Sequence, residues 1–182
     1  MLGRFRDKPK VVRIMRELTK DEIDFIRLQM LFNLTNGWSW YAYQRVGPEE
    51  IIKLELEMWN EQLPPAVDLL LQLIQPQGTS IEKVKHVLGQ VSRANAYVPR
   101  HLEETPRSLK WEYAVCPNWN ALELLGYGDY LSLDGKPAKV SCIHGCTRVH
   151  EIYFRAIEPN SRMRHFELRP DGDKTCVFEL SV

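Results

Sequence analysis

The sequence predicts an α+β protein: an N-terminal helical bundle packed with a small, mainly antiparallel sheet and accompanying helices. Three observations point there. Apolar residues recur at helical spacing through the first half, alternating and β-branched runs appear only after Pro99, and turn residues separate two strand-like runs near the C-terminus. The expected organisation is a basic arm over 1–18, a helical half over 19–98 and an α/β half over 99–182, forming one compact unit. A chain of 182 residues is long enough for a self-supporting core and short for two full domains.

Thr19 with Glu22 has capping-box spacing, and Ile23, Ile26, Met30 and Leu34 continue it as a helix to about Arg45. Gly47 then supplies a turn and Pro48 a ready first helical position. Ile51, Ile52, Leu54, Glu55, Met58 and Trp59 extend a second helix, which the Pro64-Pro65 pair is expected to kink or restart. Val67 to Ile74 is apolar enough to be buried, and Pro76 with Gly78 ends it. Thr79 and Glu82 repeat the capping box ahead of Val84, Val87, Leu88 and Val91, a helix to about Ala94.

Lys110 to Cys116 reads as a strand. Pro117 opens a short helix to Leu125, closed by Gly126 and Gly128, and Val140 to Cys142 is a candidate extended segment. Val149, Ile152, Tyr153 and Ala156 place an amphipathic helix over about Gly145 to Ile157. Met163 to Leu168 and Lys174 to Val182 form a hairpin through Pro170, Asp171, Gly172 and Asp173. Such a small sheet needs covering by helices of the same chain or of a second subunit, so a homodimer is a candidate assembly.

Composition narrows the function classes. With 24 basic and 24 acidic residues there is no global field to attract nucleic acid. No apolar run approaches the roughly 20 residues that span a bilayer, so neither a membrane partner nor secretion is expected and a cytoplasmic location is the default. Arg4, Arg6, Lys8, Lys10, Arg13 and Arg16 make the arm basic, but no aromatic or amphipathic pattern accompanies them, and a solvated extension is expected.

Candidate chemistry concentrates around Cys116, Cys142, His144, Cys146 and His150. Cys146 and His150 lie four apart, so on a helix both project from one face and can present two ligands to one metal. Cys116 and Cys142 would complete a soft set with Cys146 and His150, suited to zinc or iron. The same residues also fit nucleophilic catalysis. Cys142 or Cys146 at a helix N-terminus would be the thiolate, His144 or His150 the base, and Glu151 a proton relay. Arg148 and Arg155 are candidate anchors for a substrate carboxylate. A third reading makes every one of these side chains part of the core.

Trp38, Trp40, Tyr41, Tyr43 and Trp59 form an aromatic concentration in the helical half. Core packing explains them, as does a wall over a small apolar ligand, with Trp38, Tyr41 and Trp59 the binding candidates and Glu55 or Glu57 a supporting carboxylate.

Trp38, Gly47 and Trp59, the run from Trp111 to Pro117 with Cys116, then Cys142 and the terminal Asp173, Cys176, Phe178 and Glu179 resemble an uncharacterised prokaryotic cysteine-bearing family. More distantly, the chain is similar to the L-2-amino-thiazoline-4-carboxylic acid hydrolase family. That resemblance implies a hydrolase opening a C–N bond of a small carboxylate-bearing ring, with a divalent metal as a candidate cofactor and Cys116, Cys142 and Cys176 as the matching cysteines. The ending Cys176-Val-Phe178 also resembles 4-vinyl reductase domains, which implies the rival reading, a non-catalytic small-ligand or metal-binding sensor.

Overall fold

Helix boundaries follow the capping chemistry closely. The computed structural model describes residues 17–125, 130–131, 137–138 and 145–182. Helix α1 spans Lys20–Val46, and the Thr19 side chain and the Glu22 carboxylate cap each other's backbone N–H. Gly47, at φ 87°, takes the positive-φ turn into α2, Pro48–Ile74. Thr79 and Glu82 repeat the capping box at the start of α3, Ser80–Ala94. The basic arm lies almost wholly outside the described residues, as do Cys142, His144, Gly126, Gly128 and the segment from Val140 to Cys142.

After α3 the chain forms β1 (Val98–Thr105), β2 (Ser108–Val115), α4 (Pro117–Leu125) and the short paired strands β3 (Tyr130–Leu131) and β4 (Pro137–Ala138). Then come α5 (Cys146–Ile157), β5 (Arg162–Glu167) and β6 (Val177–Ser181). The main sheet is antiparallel throughout, in the order β1-β2-β6-β5. The expected C-terminal hairpin is β5 and β6, joined through a single 3₁₀ turn over Arg169–Asp171.

Strand alternation fixes which face is covered. Leu109, Trp111 and Tyr113 of β2 and Phe178 and Leu180 of β6 point to one side, where Ile81, Val84 and Leu88 of α3 and Phe154 of α5 pack on them. The opposite face is polar. There Lys110 sits over the Phe166 ring and near Glu103, while Arg100 pairs with Glu112.

Two expectations are corrected. Pro64 and Pro65 neither break nor restart α2, which runs unbroken as one helix through both. The run from Val67 to Ile74 is not buried as a block: Val67 is buried, but Leu73 is 75% exposed because a helix turns part of any continuous apolar run outward. The periodic residues of α1 do not face a core either, Met30 being 65% and Leu34 74% exposed. Strand β1 was not anticipated, since Val98-Pro-Arg-His-Leu-Glu-Glu-Thr105 is mostly polar. Its place at the sheet edge, with no residue of the strand buried, explains that composition.

Candidate functional site

Between the helices and the covered face of the sheet lies a cavity of about 370 Å³. Its walls come from every layer. Helix α1 gives Leu31, Phe32 and Asn36; α2 gives Glu55, Trp59 and Leu63; α3 gives Val87, Val91 and Ser92. Tyr97 and Tyr113 close the sheet side, and α5 contributes Cys146, Val149, His150 and Tyr153. Hydrophobic and aromatic side chains dominate, with a few polar groups, the make-up of small-molecule pockets of this size.

The polar groups fall into three sets. At one wall, Tyr113 and His150 share a hydrogen bond of 2.6 Å between the hydroxyl and Nε2, and His150 Nδ1 lies 2.8 Å from the Cys146 carbonyl. A carbonyl can only accept, so Nδ1 carries the proton and Nε2 accepts from the Tyr113 O–H. Burial then depresses His150 to about 4, and it lifts the Tyr113 hydroxyl far above its ordinary range. At the α1–α4 contact, Asn36 Nδ2 donates to Asn118 Oδ1 at 2.8 Å.

The third set is Glu55 and Trp59, one turn apart on α2. A Cβ on Gly145 would sit 3.0 Å from Glu55 Oε1 and 3.1 Å from Trp59 Nε1, so the two polar atoms lie side by side beneath that backbone. Both Glu55 Oε2 and Trp59 Nε1 are buried without a well-aligned hydrogen-bond partner among the described residues. Burial raises the Glu55 carboxyl to about 7, opposed only by the neighbouring Trp59 N–H, whose loose alignment still favours the charged form.

The cysteine cluster assembles in part. Cys116, Cys146 and Cys176 all pack against the core, and the other two each disfavour ionisation of Cys146. Burial is the larger cause. It holds the Cys146 thiol well above its ordinary value, pushes Cys116 up to about 11 and raises Cys176, although the last two sulfurs accept N–H bonds from Trp119 and Arg169 at 3.4 Å. Cys146 does stand at the first position of α5, but desolvation outweighs whatever the helix end contributes.

The i,i+4 spacing brings Cys146 Sγ within 3.7 Å of His150 Nδ1. Yet this is a neutral thiol beside a neutral imidazole, the opposite of an activated thiolate–imidazolium pair. Both ring nitrogens of His150 are hydrogen-bonded in this geometry. Among the described residues no group of three or more His, Cys, Asp or Glu side chains has metal-holding geometry. Of the expected zinc or iron set of Cys116, Cys142, Cys146 and His150, the three described members form no such group by themselves, and Cys142, like His144, lies outside the described residues.

Arg148 does not reach the cavity to hold a carboxylate. Its Nε donates to Asn60 Oδ1 at 2.6 Å and its Nη1 to Glu151 at 2.8 Å, which ties α5 to α2 and occupies Glu151 as well. Arg155 is exposed and is not among the residues lining the cavity. Trp38 is 70% exposed and stacks on the exposed Tyr41, so of the three aromatic candidates Trp59 alone lines the cavity. Glu55 lines it too, while Glu57 faces solvent.

Tyr113, Tyr97, Ser92 and Asn36 are cavity residues that sequence reasoning passed over. Tyr113 had a signal: it shares the inward parity of Trp111 two residues earlier. Ser92 and Asn36 had none, being single polar residues on long helices.

No described helix is long and apolar enough to cross a membrane. No family profile matches the chain, and no curated protein does. Among solved structures, the chain is similar to the phenol-responsive sensory domain of the transcription activator PoxR, determined with phenol. The TM-score is 0.58 at 8% identity, covering 82% of this chain and 73% of that one. At that identity the likeness is one of fold.

Proposed function

We propose that this chain is a non-catalytic small-molecule-binding module, a ligand sensor rather than a hydrolase. The observation that carries this reading is the cavity of about 370 Å³ walled by apolar and aromatic side chains from α1, α2, α3, α5 and the sheet. A ligand there would touch elements from every layer, so occupancy would stabilise their packing together. That is the physical requirement for a binding event to be felt across a domain. The likeness in fold to a phenol-responsive sensory domain supports the same reading.

The hydrolase expectation fares less well on physical grounds. Of its candidates, Cys146 and His150 are held neutral by burial, Arg148 is spent on Asn60 and Glu151, and Arg155 is exposed. Thermal unfolding with a panel of single-ring compounds tests the sensor reading. Binding to the folded state raises stability by about 2.7 kcal/mol at a ligand concentration 100 times Kd. A saturable rise in Tm with no consumption of the compound is expected, and it should vanish in Val91→Phe, which fills the cavity. Turnover of a cyclic amide or thiazoline, lost on Cys146→Ser, would restore the hydrolase reading.

A further inference from the structure

We propose that the cavity selects a protonated amine on a small apolar body, with Glu55 Oε2 as the acceptor for its N–H and the surrounding aromatic rings as its walls. The inference rests on the binding-module reading and names the ligand chemistry of that same site.

Charge and hydrogen-bond accounting lead there. Among the described lining residues Glu55 is the one acidic side chain, and none is Lys or Arg. Burial alone raises its carboxyl, with no cation among the causes, and one oxygen is buried and unpartnered. A carboxylate in that position is stabilised by whatever donor or positive charge enters. Trp59 Nε1 stands beside Oε1, so the indole N–H and an incoming ammonium would share one carboxylate, which has lone pairs for both.

The rest of the cavity suits a cation with an apolar body. Phe32, Trp59, Tyr97, Tyr113 and Tyr153 offer ring faces and edges around it, and rings attract a desolvated ammonium. His150 adds no competing positive charge, because burial keeps its imidazole neutral, with Nδ1–H directed at the Cys146 carbonyl and Nε2 accepting from Tyr113. An anionic ligand meets the reverse conditions: a buried acid and, among the described lining residues, no compensating Lys or Arg. The carboxylate-bearing substrate anticipated from sequence is thereby disfavoured.

Titration calorimetry of the full chain with three near-isosteres decides it: benzylamine, benzyl alcohol and benzoate. A charge-assisted bond exceeds a neutral one enough that benzylamine should bind about tenfold tighter than benzyl alcohol, with benzoate weakest. In Glu55→Gln the preference for benzylamine should collapse while benzyl alcohol still binds, which also shows the variant is folded. Should that variant fail to fold, the order among the three ligands on the native chain decides alone. Benzyl alcohol binding as tightly as benzylamine, or an amine preference that survives Glu55→Gln, overturns the amine assignment and leaves the binding module standing. Failure of all three to bind overturns both.

Discussion

At the scale of single residues, burial decides chemistry more firmly than spacing does. Cys146 and His150 are placed on one helix face by their four-residue separation, and the structure brings their side chains together as that separation requires. What they become there is set by desolvation and by partners distant in sequence but adjacent in space, such as Tyr113 beside His150. His150 is a neutral hydrogen-bond bridge between a tyrosine and a carbonyl. Tyr113→Phe removes the donor and leaves Nε2 buried and unpaired, an expected loss of about 1–3 kcal/mol measurable by urea denaturation. Cys146, held as a thiol, should react with iodoacetamide at neutral pH far more slowly in the folded chain than in denaturant. Equal rates in the two states would show an accessible, activated sulfur instead.

Elements add constraints that no residue carries alone. The start of α5 runs so close to α2 that Gly145 is wedged against Glu55 and Trp59. Gly145→Ala should therefore displace one of the two, costing about 1 kcal/mol or more by overpacking and weakening ligand binding more than it lowers Tm. Unchanged binding would mean that the polar pair moves freely. The two capping boxes, Thr19 with Glu22 and Thr79 with Glu82, were legible because each needs only residues three apart. Strand β1 was illegible for the complementary reason. As an edge strand it buries little, and its pairing partner, not its own pattern, makes it a strand. The same limit applies to α2, whose prolines end a helix in isolation but are carried through by the packing of Ile51, Ile52, Leu63 and Val67 on either side.

For the whole molecule, two buried groups give opposing pH dependences. His150 titrates near 6.5 when unfolded and about 4 when folded, so the unfolded chain binds the extra proton between those values. Stability is lost as pH falls through that window, by roughly 3 kcal/mol. Glu55 goes from 4.5 unfolded to about 7 folded, so here the folded chain holds the extra proton. Its contribution is present below pH 4.5 and lost, by a similar rough amount, as pH rises through 7. The two slopes nearly cancel in the native protein. Glu55→Gln removes one of them, so its stability relative to the native chain should improve by roughly 3 kcal/mol between pH 4.5 and 7. Urea titrations of both proteins across that range would check it, and parallel curves would show that Glu55 is not desolvated.

The α+β class, the change from helix to strand near Pro99, the helix starts and the C-terminal hairpin were all legible along the chain. Each depends on periodicity or capping within a few neighbouring residues. Which of the reactive-looking side chains share a space depended on how the folded chain packs. It joined Glu55 and Trp59 to Tyr113 and His150 around one cavity, left Trp38 and Tyr41 at the surface, and bound Arg148 to Asn60. The reason is physical: a pocket is a property of surfaces from distant segments, and its dielectric, which sets every charge inside it, exists only once those segments have closed around it.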